Sequence, residues 1–428
     1  MLGLQVGVLA QDERQNALQG IDVNGRIPKV ELPDGLKHPE RWRYFPEGRL
    51  MEGDVFQRFL VSSFFSPIIF READVGTGGG LAITDLDFRN QRRREFANIV
   101  VTYSTEGQQT YNINWRRWTH HRELPDGGVL QDERSYLSGF AGYNKSLTSR
   151  YYGRGPDRPE SAESSYTHER TAVEFAKRFT VPDPADNLIV EIGGILEHNK
   201  LASGRVSDAL DTRVAYPGDF SGGDRDILWL QARAAYDTRD SLHNPYKGWH
   251  IGLSGAGAVA QTGGDVGAVF SLTGSKVFTV PPLLHRGGVD EENPPTDTIA
   301  IGVATSSATG ELPFYALPSL GGSRTLRGYI NNRWTDEAAW HAGAEYRLWF
   351  IPRGFSVTET VRVERIGTAF FYEVGSVAST WTGLFDDKPK YSYGTSLRIS
   401  LERTALFRFD IGFSDEDSNF SIAYGLTF

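Results

Sequence analysis

From about residue 59 to the C-terminus, the chain consists of segments of roughly 8–14 residues in which apolar and polar side chains alternate strictly. In "EFANIVVTY", Ala97, Ile99, Val101 and Tyr103 fall on one side, against Asn98 and Thr102. In "LWLQARAAY", Leu228, Leu230, Ala232, Ala234 and Tyr236 oppose Gln231 and Arg233. "WHAGAEYRLWF" sets Trp340, Ala342, Ala344, Tyr346, Leu348 and Phe350 against His341, Glu345 and Arg347. "FRFDIGFS" sets Phe407, Phe409, Ile411 and Phe413 against Arg408, Asp410 and Gly412. The last segment, "FSIAYGLTF", lines up Phe420, Ile422, Tyr424, Leu426 and Phe428. A period of two predicts strands.

Two architectures fit such faces. A soluble sandwich turns the apolar face inward, and a barrel in lipid turns it outward. Sandwich strands are typically about 5–6 residues, and many here are about twice that, the length of tilted membrane strands. The polar faces are rich in Gly, Ser, Asn, Arg and Glu, and the apolar faces often end in aromatics, as membrane girdles do. The pattern therefore predicts an all-β fold, a transmembrane antiparallel β-barrel of about 16 strands, counted back from Phe428. Its connections alternate between short turns and long polar loops. Those at Arg122–Arg134, Gly153–Ser165, Leu201–Arg225, Leu284–Pro295 and Phe314–Thr335 are expected to be extracellular, and the short turns periplasmic.

Residues 1–55 are expected to form an N-terminal extension and residues 56–428 the barrel. Met1–Gln11 reads equally as the tail of a secretory signal, with Val8 and Ala10 at cleavage-site spacing, or as a frayed terminus. Residues 12–53 are polar, proline-bearing and without period. Trp42, Tyr44 and Phe45 suit either an interfacial belt or a small cluster under a loop. Asp54 could cap a short helix over residues 54–60.

Composition fits this picture. No run approaches the roughly 18–20 apolar residues of a membrane helix. Hydrophobic residues are 39% of the 428 residues, while glycines number 47. There are no cysteines, so thiol nucleophiles, disulfides and thiolate metal sites are excluded. A net charge of −9 without a basic stripe argues against nucleic acid as a partner. His120 and His121 near Glu123, or His341 with Glu345, have no further metal ligand at a defined spacing. No G-x-S-x-G elbow marks a nucleophilic serine. No catalytic residue, metal or cofactor is expected, and the chain is read as non-enzymatic.

One stretch stands apart: "LPSLGGSRTLRGYINNRW", from Leu317 to Trp334. A glycine-rich loop with arginines could cradle phosphate if it opened a helix. Residues 337–350 alternate as a strand instead, and neither G-x-G-x-x-G nor a Walker lysine is present. "LGGSRTLRGY" resembles the signature of the BamA/TamA superfamily of outer-membrane assembly barrels, which includes two-partner secretion transporters. The resemblance implies that this loop folds into the lumen with Leu326, Arg327, Gly328 and Tyr329 at its tip. It also implies that Arg327 meets wall carboxylates, supplied here by Glu345 and by Glu373 where the family commonly has aspartate. Alternation independently puts both Glu345 and Glu373 on the lumen face. Arginine suits such an anchor because its fork takes two carboxylates, and Gly321, Gly322 and Gly328 would permit a tight backbone.

"YDTRDSLHNPYKGW" resembles a second family motif, a strand end followed by a turn. Asn244, Pro245 and Gly248 suit the turn, and Asp237, Arg239 and Asp240 could pin it by ion pairs. Tyr424, Leu426 and the terminal Phe428 resemble the family's assembly signal. Relatives usually carry periplasmic POTRA modules before the barrel. Residues before the barrel here are too few and too irregular for one, so the chain reads as a POTRA-less member.

The resemblance implies a bacterial outer-membrane location and a role in assembly, insertion or translocation of protein or lipid. The route would be a seam between the first and last strands. Expected partners are outer-membrane lipid and lipopolysaccharide, with room for a separate periplasmic or outer-membrane protein. The rival reading is a passive or structural barrel, either a narrow pore or a docking and display platform.

Overall fold

The computed structural model describes residues 33–45, 64–72, 76–84, 95–125, 127–220, 223–242, 244–289, 294–356, 362–386, 388–401 and 405–427. Sixteen antiparallel strands close into a barrel. They are β1 (Phe64–Glu72), β2 (Gly76–Thr84), β3 (Glu95–Ser104), β4 (Gln109–Trp118), β5 (Tyr136–Tyr151), β6 (Ser164–Val181), β7 (Leu188–Ser203) and β8 (Arg225–Asp237). The second half is β9 (Gly248–Gln261), β10 (Gly267–Thr279), β11 (Asp297–Gly310), β12 (Ala338–Ile351), β13 (Arg362–Ala378), β14 (Lys390–Leu401), β15 (Ala405–Phe413) and β16 (Ser418–Tyr424). The short helix expected at 54–60 lies outside the described residues.

The alternation faces as expected. On β8, Leu228, Leu230 and Tyr236 are exposed on the outer wall, while Ile227, Trp229 and Asp237 are buried toward the lumen. Polar lumen positions are tolerated because they find partners there, as backbone groups do along the closed ladder. Leu348 departs from the pattern. It has the outward parity of β12 yet is buried, next to an irregularity in the β12–β13 register.

Strand height is uneven around the ring. β5, β6, β7 and β13 run for 16, 18, 16 and 17 residues. β1 has 9, β15 has 9 and β16 only 7. β15 and β16 pair from Phe407↔Tyr424 to Phe413↔Ser418. Among the described residues, the closing pair β1–β16 is registered at Arg71↔Ile422 alone.

Because strands alternate in direction, so do the connections. Gly153–Ser165, Leu201–Arg225 and Phe314–Thr335 share one end, the plug end, where Arg154 joins Asp219 at 2.9 Å and Glu337 at 3.1 Å. Arg122–Arg134 and Leu284–Pro295 lie at the opposite, terminal end, so the expectation that all five long loops share a side is corrected. Loop length is a poor guide where strand parity decides. Contacts agree: Arg134 donates to the carbonyls of Asp237 and Arg239, in the β8–β9 turn.

Within the N-terminal segment, the described residues 33–45 hold regular structure that their composition did not suggest. Trp42–Phe45 is a strand paired with Val129–Asp132, which in turn pairs with His121–Glu123. Arg41 ties this small sheet to the barrel by donating to Ala185 O and Asn187 Oδ1, both at 2.8 Å.

Candidate functional site

The β11–β12 connection turns back into the barrel. Its neck is a short antiparallel pair, Ser319–Leu320 with Trp334–Thr335. Leu326 is fully buried against Leu320, Tyr329, Trp334, Ala339 and Val377, which form the apolar foot of the plug.

Arg327 projects from this foot into a wall of carboxylates. Its Nε donates to Glu373 Oε1 at 2.9 Å, and its backbone N–H donates to Glu373 Oε2 at 2.7 Å. Its Nη2 stands 2.9 Å from Glu345 Oε1, an ion pair bent too far for a hydrogen bond. The guanidinium also lies 3.5 Å from the centre of the Phe371 ring, a cation–π contact in a water-excluded setting. The side chains of Arg327, Glu345 and Glu373 are all 0% exposed. The pair is therefore dry rather than hydrated.

The sequence reading did not single out the rest of the cluster. Asp410 on β15 stands 3.7 Å from Arg327 Nη1. Glu345 Oε2 accepts from Arg347 Nε at 2.9 Å and from Arg398 Nη2 at 2.8 Å. Arg408 donates to Asp410 at 2.8 Å and to the plug carbonyl of Ser323 at 3.0 Å. Four buried arginines thus share Glu345, Glu373 and Asp410. Alternation put Arg347, Arg408 and Asp410 on lumen faces, but nothing in the sequence marked them as neighbours of Arg327.

Gly328 follows at the closest approach. A Cβ there would lie 2.4 Å from Phe413 O, so no side chain fits. Its N–H donates to Ser392 Oγ at 2.7 Å. Beyond it, the plug grips the β15–β16 hairpin. Tyr329 OH donates to Asp415, and Asn419 Nδ2 donates to the carbonyls of Arg327 and Tyr329. Arg333 makes a two-pronged pair with Glu416 at 2.7 and 2.6 Å.

The turn motif occupies the terminal end. Asp237 accepts from the backbone and side chain of Arg239, and Asp240 Oδ1 accepts from the N–H groups of Tyr246 and Lys247. Asn244 N–H donates to Ser241 Oγ, and Pro245 is buried. Gly248 has φ 116°, and a Cβ would come within 2.6 Å of Arg239 Cα. Burial raises the Asp240 carboxyl above its ordinary value, although its two N–H donors oppose this. Burial also lowers Arg134 beside the turn to about 10, so it remains charged at neutral pH.

At the C-terminus, Tyr424 pairs with Phe407 and ends β16. Gly425, at φ 83°, breaks the extended run, and Leu426 lies beyond the strand. The expectation of an alternating strand through the last residue is corrected on this point. Phe428 lies outside the described residues.

No curated protein matches the chain by sequence. Among solved structures, BamA from Haemophilus ducreyi lacking POTRA domains 1–3 is similar, with a TM-score of 0.54 at 14% identity. The match covers 85% of this chain and 70% of that one. CdiB from Escherichia coli gives a TM-score of 0.54 at 11% identity, covering 90% and 67%. At such identities the likeness speaks for the fold. Residues 93–428 match the family model of the Omp85 superfamily domain. The chain, a closed barrel with an inward-folded arginine-tipped loop, therefore belongs to the Omp85 superfamily and is an outer-membrane protein.

Proposed function

We propose that this barrel moves or inserts protein or lipid at the outer membrane through the β1–β16 seam, without enzymatic chemistry of its own. The observation that carries the reading is that, among the described residues, a single pair is registered at that seam, against the seven pairs that hold β16 to β15. A strand pair with few ladder bonds leaves edges that can pair with another chain. The short strands add to this. Seven residues in β16 are fewer than the roughly 9–11 that cross a bilayer, so lipid beside the seam must thin. A thinned leaflet lowers the barrier to inserting a new strand or passing a lipid. Bulk outer-membrane lipid, lipopolysaccharide and a separate periplasmic or outer-membrane protein are the partners this role requires. Arg327 and its carboxylates, on this reading, hold the plug as a fixed inner support while the seam moves.

The chain has no cysteine, so a disulfide can be placed at will. Arg71→Cys with Ile422→Cys joins directly paired residues, a spacing that suits a disulfide. A photo-crosslinking residue at Phe420 would report neighbours in intact cells. Protein or lipid adducts that disappear in the oxidised double mutant and return on reduction support the proposal. An unchanged adduct pattern, with a steady ion current in both states, would establish the passive pore instead.

A further inference from the structure

Two outward positions at the terminal end of the wall are buried where lipid contact is the rule. Asp297 opens β11 with the same parity as the exposed Ile301 and Val303, yet it is 1% exposed. Leu348 on β12 is its registered partner and is buried too. The β10–β11 connection reaches Asp297. Asp297 Oδ2 accepts the N–H of Leu283 at 3.2 Å, and its carboxylate also accepts Tyr346 OH from the neighbouring strand. The Thr296 hydroxyl lies 2.7 Å from His285 O, which fastens the next residue pair of the loop. At its other side, Arg365 donates to the carbonyls of Pro294 and Pro295.

A carboxylate on the lipid face is costly unless it is covered and fully paired. Here its acceptor oxygens hold a loop against the outside of the wall. That loop presents Leu283 at 70% and Leu284 at 60% exposure, followed by exposed His285 and Arg286. No apolar group among the described residues covers the leucine pair. On the adjoining wall, Trp249 is the registered partner of Lys276, whose Nζ lies 4.3 Å over the indole ring. An aromatic with a snorkelling lysine is the composition of a bilayer interface.

We infer that the Val280–Val289 connection is a membrane-interface anchor, with Leu283 and Leu284 seated among acyl chains and Arg286 at the level of phospholipid phosphates. Its occupant is the leaflet at the terminal end, and it extends the lipid-facing wall beyond the strands. Apolar side chains gain by leaving water there, and a guanidinium pairs well with phosphate. The anchor holds the β10–β11–β12 arc, across the ring from the seam, to the leaflet.

The test uses single-cysteine variants of the full chain in phosphatidylcholine vesicles, each labelled with an environment-sensitive nitrobenzoxadiazole probe. Leu284→Cys is compared with Leu253→Cys on the exposed wall of β9 and Asp224→Cys in the β7–β8 connection. Brominated phosphatidylcholine serves as quencher. The expected result is a blue-shifted emission at 284 that brominated lipid quenches as strongly as at 253, with no quenching at 224. Leu283→Cys provides the same reading should the first variant fail to fold, as judged by heat-modifiable migration. A water-like, unquenched emission at 284 or 283 in a folded barrel would overturn the inference and leave the leucine pair to a protein partner.

Discussion

Arg327 is bound to Glu373 twice, once through its guanidinium and once through its own backbone N–H. The carboxylate therefore fixes both the position of the arginine and the path of the chain that carries it. Removing one partner of a buried pair costs about 3–5 kcal/mol, because the other is left charged and alone. We predict that Arg327→Ala lowers the temperature of heat-modifiable migration and opens residues 318–334 to protease. Arg327→Lys should lose nearly as much, since an ammonium cannot span two carboxylates or stack on Phe371. Wild-type protease resistance in either variant would refute the anchor.

The two glutamates should not be equivalent. Glu345 faces Arg327, Arg347 and Arg398, whereas Glu373 serves Arg327 with His341 nearby. Neutralising Glu345 would leave four arginines with two carboxylates. Glu345→Gln is expected to destabilise more than Glu373→Gln, and Arg347→Met should partly restore the Glu345→Gln barrel by removing one excess charge. Paired unfolding temperatures decide it; additive effects of Glu345→Gln and Arg347→Met would mean that the two residues do not interact.

Glu416 offers a milder perturbation. It is part-exposed and holds the buried Arg333 of the plug to the β15–β16 hairpin. Glu416→Ala should leave the barrel folded while speeding amide exchange across residues 413–418. Exchange rates identical to wild type would show that the plug does not steady that hairpin.

Gly248→Ala tests the turn. The new methyl would meet Arg239 Cα and Thr238 O at 2.6 Å in a backbone region that side chains rarely adopt. A fall in folded yield is expected, by about 1–3 kcal/mol of strain if the barrel still forms. Unchanged yield and melting would mean that the turn relaxes freely.

Much of this molecule was legible because a half-buried strand repeats every two residues. Leu228, Gln231 and Tyr236 reveal their faces from spacing alone. Arg327 with Glu345 and Glu373 could be read because a motif marks them. Arg398, Arg408 and Asp410 could not, since a lumen wall is full of polar residues and only three-dimensional register says which of them meet. Asp297 was hidden for another reason. A carboxylate at the start of a strand looks like the end of the ladder, and only the folded-back loop gives it a place. The strand at Trp42–Phe45 is too short for any period to show, and its partner lies far along the chain.

The plug also has a place in time. Its arginine needs Glu345 on β12, Glu373 on β13 and Asp410 on β15, and its glycine needs Ser392 on β14. Those groups come together only when four consecutive strands have found their register. Until then, burying Arg327 would strand a charge in the interior. We therefore expect loop insertion to be among the last events of folding, with protection of residues 318–334 appearing after that of β12–β15 in pulsed exchange. A mispaired wall would be unable to accept the arginine, so the plug acts as an inspection of the finished sheet, performed by the chain on itself.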